Sequence, residues 1–214
     1  MTMHDETGRH DADLGDAYGA QTSAELAAVY DRWSDSYDEY MDGVGYRHPA
    51  ICVALLARHV PPGNVRVLDA GVGTGIVGEL LAIVGYAAID GIDISQGMLD
   101  KAAEKGLYAD LRVADMTQPL DLISDHYGAV ISSGVFTTGH VGSKGVGQLL
   151  AVCETGGHLV ITVKVGVWQD DIQPFLHALV RDGKVRIVDQ TEPYLSMPGD
   201  PNTIPSLAIV IKKL

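Results

Sequence analysis

From Arg66 onward the chain alternates two kinds of apolar pattern. Short β-branched or apolar runs predict strands at Arg66–Asp69, Ala87–Asp93, Tyr108–Ala114, Tyr127–Ser132 and His158–Val165. Longer stretches with apolar residues three or four apart predict helices at Gly75–Val84, Gln96–Lys105, Ser143–Cys153 and Gln169–Arg181. Strands and helices in this order pair as a parallel sheet with helices on both faces. The last two runs, Val185–Gln190 and Ser206–Lys212, have no helix-length segment between them. Their link holds Pro193, Pro198, Gly199, Pro201 and Pro205, so it reads as a loop joining antiparallel neighbours. The expectation is an α/β fold with a seven-stranded, mostly parallel sheet and an antiparallel last strand.

Ahead of this alternation the pattern is helical and aromatic. Ser23 reads as the cap of a helix through Tyr30, and a second short helix lies around Ser34–Met41. Pro49 suits the first turn of a longer helix to His59, and Pro61-Pro62-Gly63 closes the segment. Residues 22–60 therefore read as a helical cap on one domain spanning 22–214. Residues 1–21 are polar and aperiodic and read as a flexible tail, with His4 and His10 solvated rather than metal-bound.

Composition narrows the partners. With 15 basic and 28 acidic residues among 214, the net charge is −13. Such a chain repels polyphosphates and anionic membrane surfaces at long range, and it has no Lys/Arg run to override that. No apolar run approaches the roughly 20 residues needed to span a bilayer, and no basic-then-apolar leader is visible. These features favour a small-molecule partner over nucleic acid or membrane, and a cytoplasmic location; a monomer or homodimer is the expected state. Cys52 and Cys153 sit in apolar stretches and read as buried, reduced thiols, with no metal site expected.

The candidate chemistry starts at Val67-Leu68-Asp69-Ala70-Gly71-Val72-Gly73-Thr74-Gly75. An apolar strand ends in an acid, glycines follow at alternate positions, and a helix begins. Glycine permits positive φ and lets a ligand approach the backbone, while the helix start offers free N–H groups. Such glycines also make tight turns with no ligand, so the later motifs decide. The next strand ends at Asp93, placed to accept hydrogen bonds from both hydroxyls of a ribose. The strand after it ends Ala114-Asp115-Met116, a polar and an apolar side chain where an adenine would lie. A dinucleotide fingerprint would place its third glycine at Ile76, and Asp69 would oppose a pyrophosphate.

Asp69-x-Gly71-x-Gly73-x-Gly75 resembles the first motif of class I S-adenosylmethionine-dependent methyltransferases. Gly91-Ile92-Asp93-Ile94-Ser95-x-x-Met98-Leu99 is similar to the second, and Ala114-Asp115-Met116 to the third. Gly156-Gly157-His158-Leu159-Val160 matches the turn into the fifth strand. Tyr30-Asp31-x-Trp33-x-x-x-Tyr37-Asp38 and Tyr46-Arg47-x-Pro49 resemble the small methyltransferases related to the Williams–Beuren region methyltransferase-like protein.

The resemblance implies a Rossmann-like fold, S-adenosyl-L-methionine as cofactor, and methyl transfer to a small-molecule acceptor. It implies that Asp69, Gly71 and Gly73 surround the methionine portion, with Gly75 also among the cofactor-binding residues. Asp93 would bind the ribose, Ile94 and Met98 would flank the adenine, Asp115 would bond its amino group, and Met116 would pack on the ring. Ser132 and Ser133 would sit near the reactive methyl. Tyr30, Trp33 and Tyr37 read either as a lid over the cofactor or as a core stripe. Arg47 reads either as a clamp on the cofactor carboxylate or as a solvated helix-start residue. His140, after the fourth strand, is the candidate general base. Ser132-Ser133-Gly134-Val135 replaces the Asn/Asp-Pro-Pro-Tyr/Phe motif of amide and amino N-methyltransferases, which points away from adenine or glutamine. An NAD(P)-dependent oxidoreductase and a non-catalytic cofactor-binding protein are the rival readings.

Overall fold

The structure, a computed structural model, describes residues 13–137 and 141–214. After a helical stretch at residues 13–19 come α1 (Ser23–Trp33), α2 (Tyr37–Gly43) and α3 (His48–His59). The alternating region follows as β1 (Arg66–Ala70), α4 (Ile76–Val84), β2 (Ala88–Asp93), α5 (Gln96–Glu104), β3 (Asp110–Val113), β4 (Tyr127–Phe136), α6 (Ser143–Val152) and β5 (Cys153–Lys164). After one α-turn and a π-turn over Trp168–Ile172 come α7 (Gln173–Arg181), β6 (Val185–Gln190) and β7 (Ser206–Lys213).

The seven strands form one sheet in the order β3-β2-β1-β4-β5-β7-β6. The pairs from β3 to β5 are parallel, and β7 runs antiparallel to both β5 and β6. The expected architecture is therefore the observed one, with β7 inserted between β5 and β6. Period-two alternation splits the core between the two faces. Leu68, Val130, Leu159 and Ile209 pack on one side with α6 and α7 residues such as Leu149 and Leu176. Val67, Ala129, Val160 and Val210 pack on the other with Leu56 of α3 and Leu81 of α4. The π-turn places both Trp168 and Ile172 in the first of these cores. Cys52 and Cys153 are free and buried. No helix among the described residues is long and apolar enough to cross a membrane.

Three local readings are corrected. The cap of α1 is Thr22, not Ser23: Thr22 is extended and its hydroxyl accepts from Glu25 N at 3.2 Å. The expected tail does not extend to Gln21, because residues 13–19 are helical, Ala17 is buried and Leu14 packs on the cap aromatics. β4 continues past Ser132 to Phe136, and its register against β5 shifts between those two residues. That irregularity re-aims Ser133, Gly134 and Val135.

Asp31 of α1 fixes the cap to the sheet. Its Oδ1 accepts from Gly97 N at 2.9 Å and from the Ser95 hydroxyl at 2.5 Å, at the start of α5. Ser95 is itself the cap of α5, accepting from Met98 N. Asp31→Ala would leave both donors without that acceptor, and urea unfolding is expected to show a loss of about 1–3 kcal/mol with an unchanged m-value.

Candidate cofactor site

The tips of β1, β2, β3 and β4 converge on a cavity of about 700 Å³, counting the open space at its mouth. Its wall joins residues far apart in sequence: Tyr30 and Tyr37 from the cap, Gly71 and Gly73, Asp93 with Ile94 and Met98, Asp115 with Met116, and Ser133. Leu26, Ala114, Gly134, Val135, Thr137 and Val141 also line it.

The floor is the glycine loop. Gly71, Gly73 and Gly75 have φ of +81°, +55° and +92°, conformations that disfavour any side chain. A Cβ on Gly71 would stand 2.2 Å from Val135 Cγ2, whereas nothing lies within 4 Å of one built on Gly73. Asp93 secures this loop: its carboxylate accepts from Gly73 N at 2.8 Å and from Ser95 N at 3.0 Å. Burial raises the Asp93 pKa, opposed by these backbone bonds. At Asp115 burial also pushes upward, but bonds from Thr117 and Ser23 outweigh it and hold the carboxyl below its ordinary range.

The roof is the cap. Tyr30 stacks on Trp33 with centroids 6.2 Å apart, and Tyr37 meets Trp33 edge-on at 4.9 Å. Burial holds both tyrosine hydroxyls neutral, with pKa well above the ordinary value. Asp38 accepts from the Thr74 hydroxyl of the glycine loop and from Lys105 Nζ at 3.2 Å, so the cap is latched to the loop it covers.

Five expected residues lie off the cavity wall. Trp33 is fully buried behind Tyr30 and Tyr37, a core piece of the lid. Arg47 is exposed at the start of α3, where its backbone N donates to Ser196 O. Ser132 is buried, and its hydroxyl ties β4 to β1 through Ala70 O at 2.7 Å. Gly75 lies against α5, where a Cβ would come within 3.3 Å of Ala102 Cα. Asp69 is fully buried, its Oδ2 accepting the Tyr108 hydroxyl at 2.8 Å and its Oδ1 buried without a hydrogen bond. His140 lies outside the described residues. Among the described residues no cluster of His, Cys, Asp or Glu is arranged to hold a metal.

A family model described as a methyltransferase domain matches residues 67–157, from β1 to the start of β5. Methyltransferase-like protein 27 of Homo sapiens is 32% identical over 151 residues, 69% of this chain and 61% of the human protein. The chain thus spans less than two thirds of that relative's length. Residues 67–157 thus belong to a methyltransferase-domain family. Among solved structures, a TehB-like S-adenosylmethionine-dependent methyltransferase from Corynebacterium glutamicum matches with a TM-score of 0.61 at 20% identity, covering 85% of this chain and 98% of that one. The [4+2]-cyclase SpnF matches with a TM-score of 0.66 at 18% identity, covering 91% and 97%. Both likenesses concern the fold.

The residues lining the cavity fit S-adenosylmethionine, the cofactor that the methyltransferase-domain match implies. Open space over Gly73 abuts the Asp93 carboxylate, and Met116 Cε lies 3.7 Å from a Cβ built on Gly71, so a side chain there would intrude on the cavity. Residues with no site role assigned from the sequence complete the site. Asp31 and Asp38 follow Tyr30 and Tyr37 in the repeated Tyr-Asp pair, which was the available clue to their latching role. His48 is buried, with Nδ1 2.7 Å from the Tyr194 hydroxyl, and burial together with the charge of Lys164 lowers its pKa to about 3. Tyr46 packs edge-on to His48, and a Cβ on Gly134 would strike its hydroxyl at 2.1 Å.

Asp69 yields a prediction about pH. Burial raises its pKa from 3.8 to about 7, against the Tyr108 bond and with added repulsion from Asp93. The folded protein then retains a proton that the unfolded chain releases, so this group lowers stability as pH rises from about 4 to 7. Asp69→Asn, free of that titration, is expected to gain on the wild type by roughly 2–3 kcal/mol between pH 5 and pH 8 in cofactor-free denaturant melts. A constant difference would contradict a proton held at Asp69.

Proposed function

We propose that this chain transfers the methyl group of S-adenosylmethionine to a small-molecule acceptor. The observation that carries the reading is the single cavity joining the glycine loop, Asp93, Asp115, Met116 and the paired tyrosines. In it Asp93 holds the ribose hydroxyls while bracing Gly73, and Ile94, Met98 and Met116 enclose the adenine beside Asp115. The neutral ring faces of Tyr30 and Tyr37 suit a sulfonium, an attraction worth roughly 0.5–2 kcal/mol, and they exclude water from it. The net charge of −13 supports a small acceptor over a polyanion.

When bound, the cofactor supplies an already activated methyl group. What the protein adds is alignment, worth roughly 7–11 kcal/mol where two reactants are held in line. Ser133 and Gly134, turned inward by the irregularity in β4, form the wall nearest the methyl in this reading. His48, with a pKa near 3, is a weak proton acceptor and serves instead to hold Tyr46 and Tyr194. His140, which follows the fourth strand in sequence, keeps its place as the candidate base.

The fold of the [4+2]-cyclase favours one alternative, chemistry other than methyl transfer on the same scaffold. Methyl-labelled cofactor incubated with a metabolite extract of the source organism separates the two. Labelled product and stoichiometric S-adenosylhomocysteine are expected, whereas bound cofactor with no turnover would sink methyl transfer. Asp93→Ala is expected to weaken S-adenosylhomocysteine binding at least tenfold in calorimetry, since a charge-assisted partner of the ribose is lost. Unchanged affinity in the folded variant would place the ribose elsewhere.

A further inference from the structure

A second cavity, of about 1360 Å³ with its open mouth, lies beyond the aromatic roof. The two share a wall: Tyr40 lines the second, Tyr37 lines the first, and Trp33 contacts both rings at 5.4 and 4.9 Å. They also share a route. Ala20 and Gln21 border both the second cavity and a groove that reaches Leu26, Ile94, Asp115 and Val141 of the first.

The second cavity contains a buried cation. Lys164, the last residue of β5, is only 6% exposed. Its Nζ donates to the Ile204 carbonyl at 3.1 Å, one bond for a group with three N–H donors. Lys101, Lys105 and Lys213 each sit within 2.8 Å of a carboxylate, and Lys164 has no such partner among the described residues. Asp200, on the same cavity, acts on Lys164 only through its field, and its Oδ1 accepts from Asn202 N at 2.8 Å. Burial lowers the Lys164 pKa more than Asp200 raises it. Thr203 adds a buried hydroxyl oxygen with no partner on the same wall.

A buried ammonium without a counter-ion is costly, and fold stability gives no reason to keep one. A bound anion would complete its pairing and use its remaining donors. We propose that this cavity is the acceptor subsite and that it takes a small organic anion, its carboxylate or phosphate docked on Lys164 and its body against Tyr18 and Tyr40. The proposal rests on the methyltransferase reading for the word acceptor, but not for the anion site. Lys164 is also coupled to the wall of the first cavity through His48. Its charge reaches His48, which lies under Gly134 at the tip of β4.

Two experiments on the full chain test this. In the first, the protein saturated with S-adenosylhomocysteine is titrated by ligand-observed NMR with benzoate, phenylacetate and phenyl phosphate, each against its neutral amide or alcohol. At least one anion is expected to bind fivefold or more tightly than its neutral counterpart. That preference should vanish in Lys164→Met and persist in Lys164→Arg, with S-adenosylhomocysteine affinity unchanged in both. No preference for any anion, or a preference that survives Lys164→Met, overturns the proposal. In the second, the metabolite extract is divided on an anion exchanger before incubation with labelled cofactor. Label is expected in the retained fraction, with yield at least tenfold lower for Lys164→Met. Label confined to the unretained fraction overturns the acceptor assignment. If neither fraction is labelled, the methyltransferase reading fails, and the NMR titration alone decides the anion site.

Discussion

The bond from Gly73 N–H to the Asp93 carboxylate, at 2.8 Å, is the constraint on which the rest of the site depends. It joins the end of β2 to a loop whose glycines hold positive φ and have no side chains with which to hold themselves. A loop of that kind would otherwise sample many shapes, and the cavity floor would have no fixed form. The same carboxylate accepts from Ser95 N and so positions the start of α5. One buried acid therefore fixes the loop, the next helix and the place where a ribose would sit.

The cap repeats this economy with two more acids. Asp31 reaches the start of α5 at Ser95 and Gly97, and Asp38 reaches Thr74 in the glycine loop. Tyr30 and Tyr37, each one residue before an acid, are thereby held over the cavity, with Trp33 packed behind them. Removing water from a sulfonium site requires a roof that closes in one position, and these latches supply it by hydrogen bonds to backbone and hydroxyl groups, with an ion pair from Lys105 added at Asp38.

Much of this was legible in the sequence because local rules carried it. Two-residue and three-to-four-residue periods placed the strands and helices, and strand-end acids marked Asp93 and Asp115. What failed to show depends on long-range pairing. Ser132 and Ser133 look alike in sequence, yet the irregular β4–β5 register turns Ser133 to the cavity and leaves Ser132 bonded to Ala70. Asp69 carries the motif but faces inward to Tyr108, a partner contributed from beyond α5. Trp33 shares the helical spacing of its neighbours, and only the packing of α1 against α2 decides that it lies behind them. The second cavity joins the residue 13–19 helix, the end of β5 and the proline-rich link before β7, segments that no periodicity connects.

The central claim is that this loop and Asp93 form a site for a sulfonium nucleoside and not for a dinucleotide. Isothermal titration of the full chain with S-adenosylhomocysteine and with NAD+ tests it most directly. The account predicts one molecule of S-adenosylhomocysteine bound per chain, with no measurable heat from NAD+. Saturable NAD+ binding without S-adenosylhomocysteine binding would contradict it.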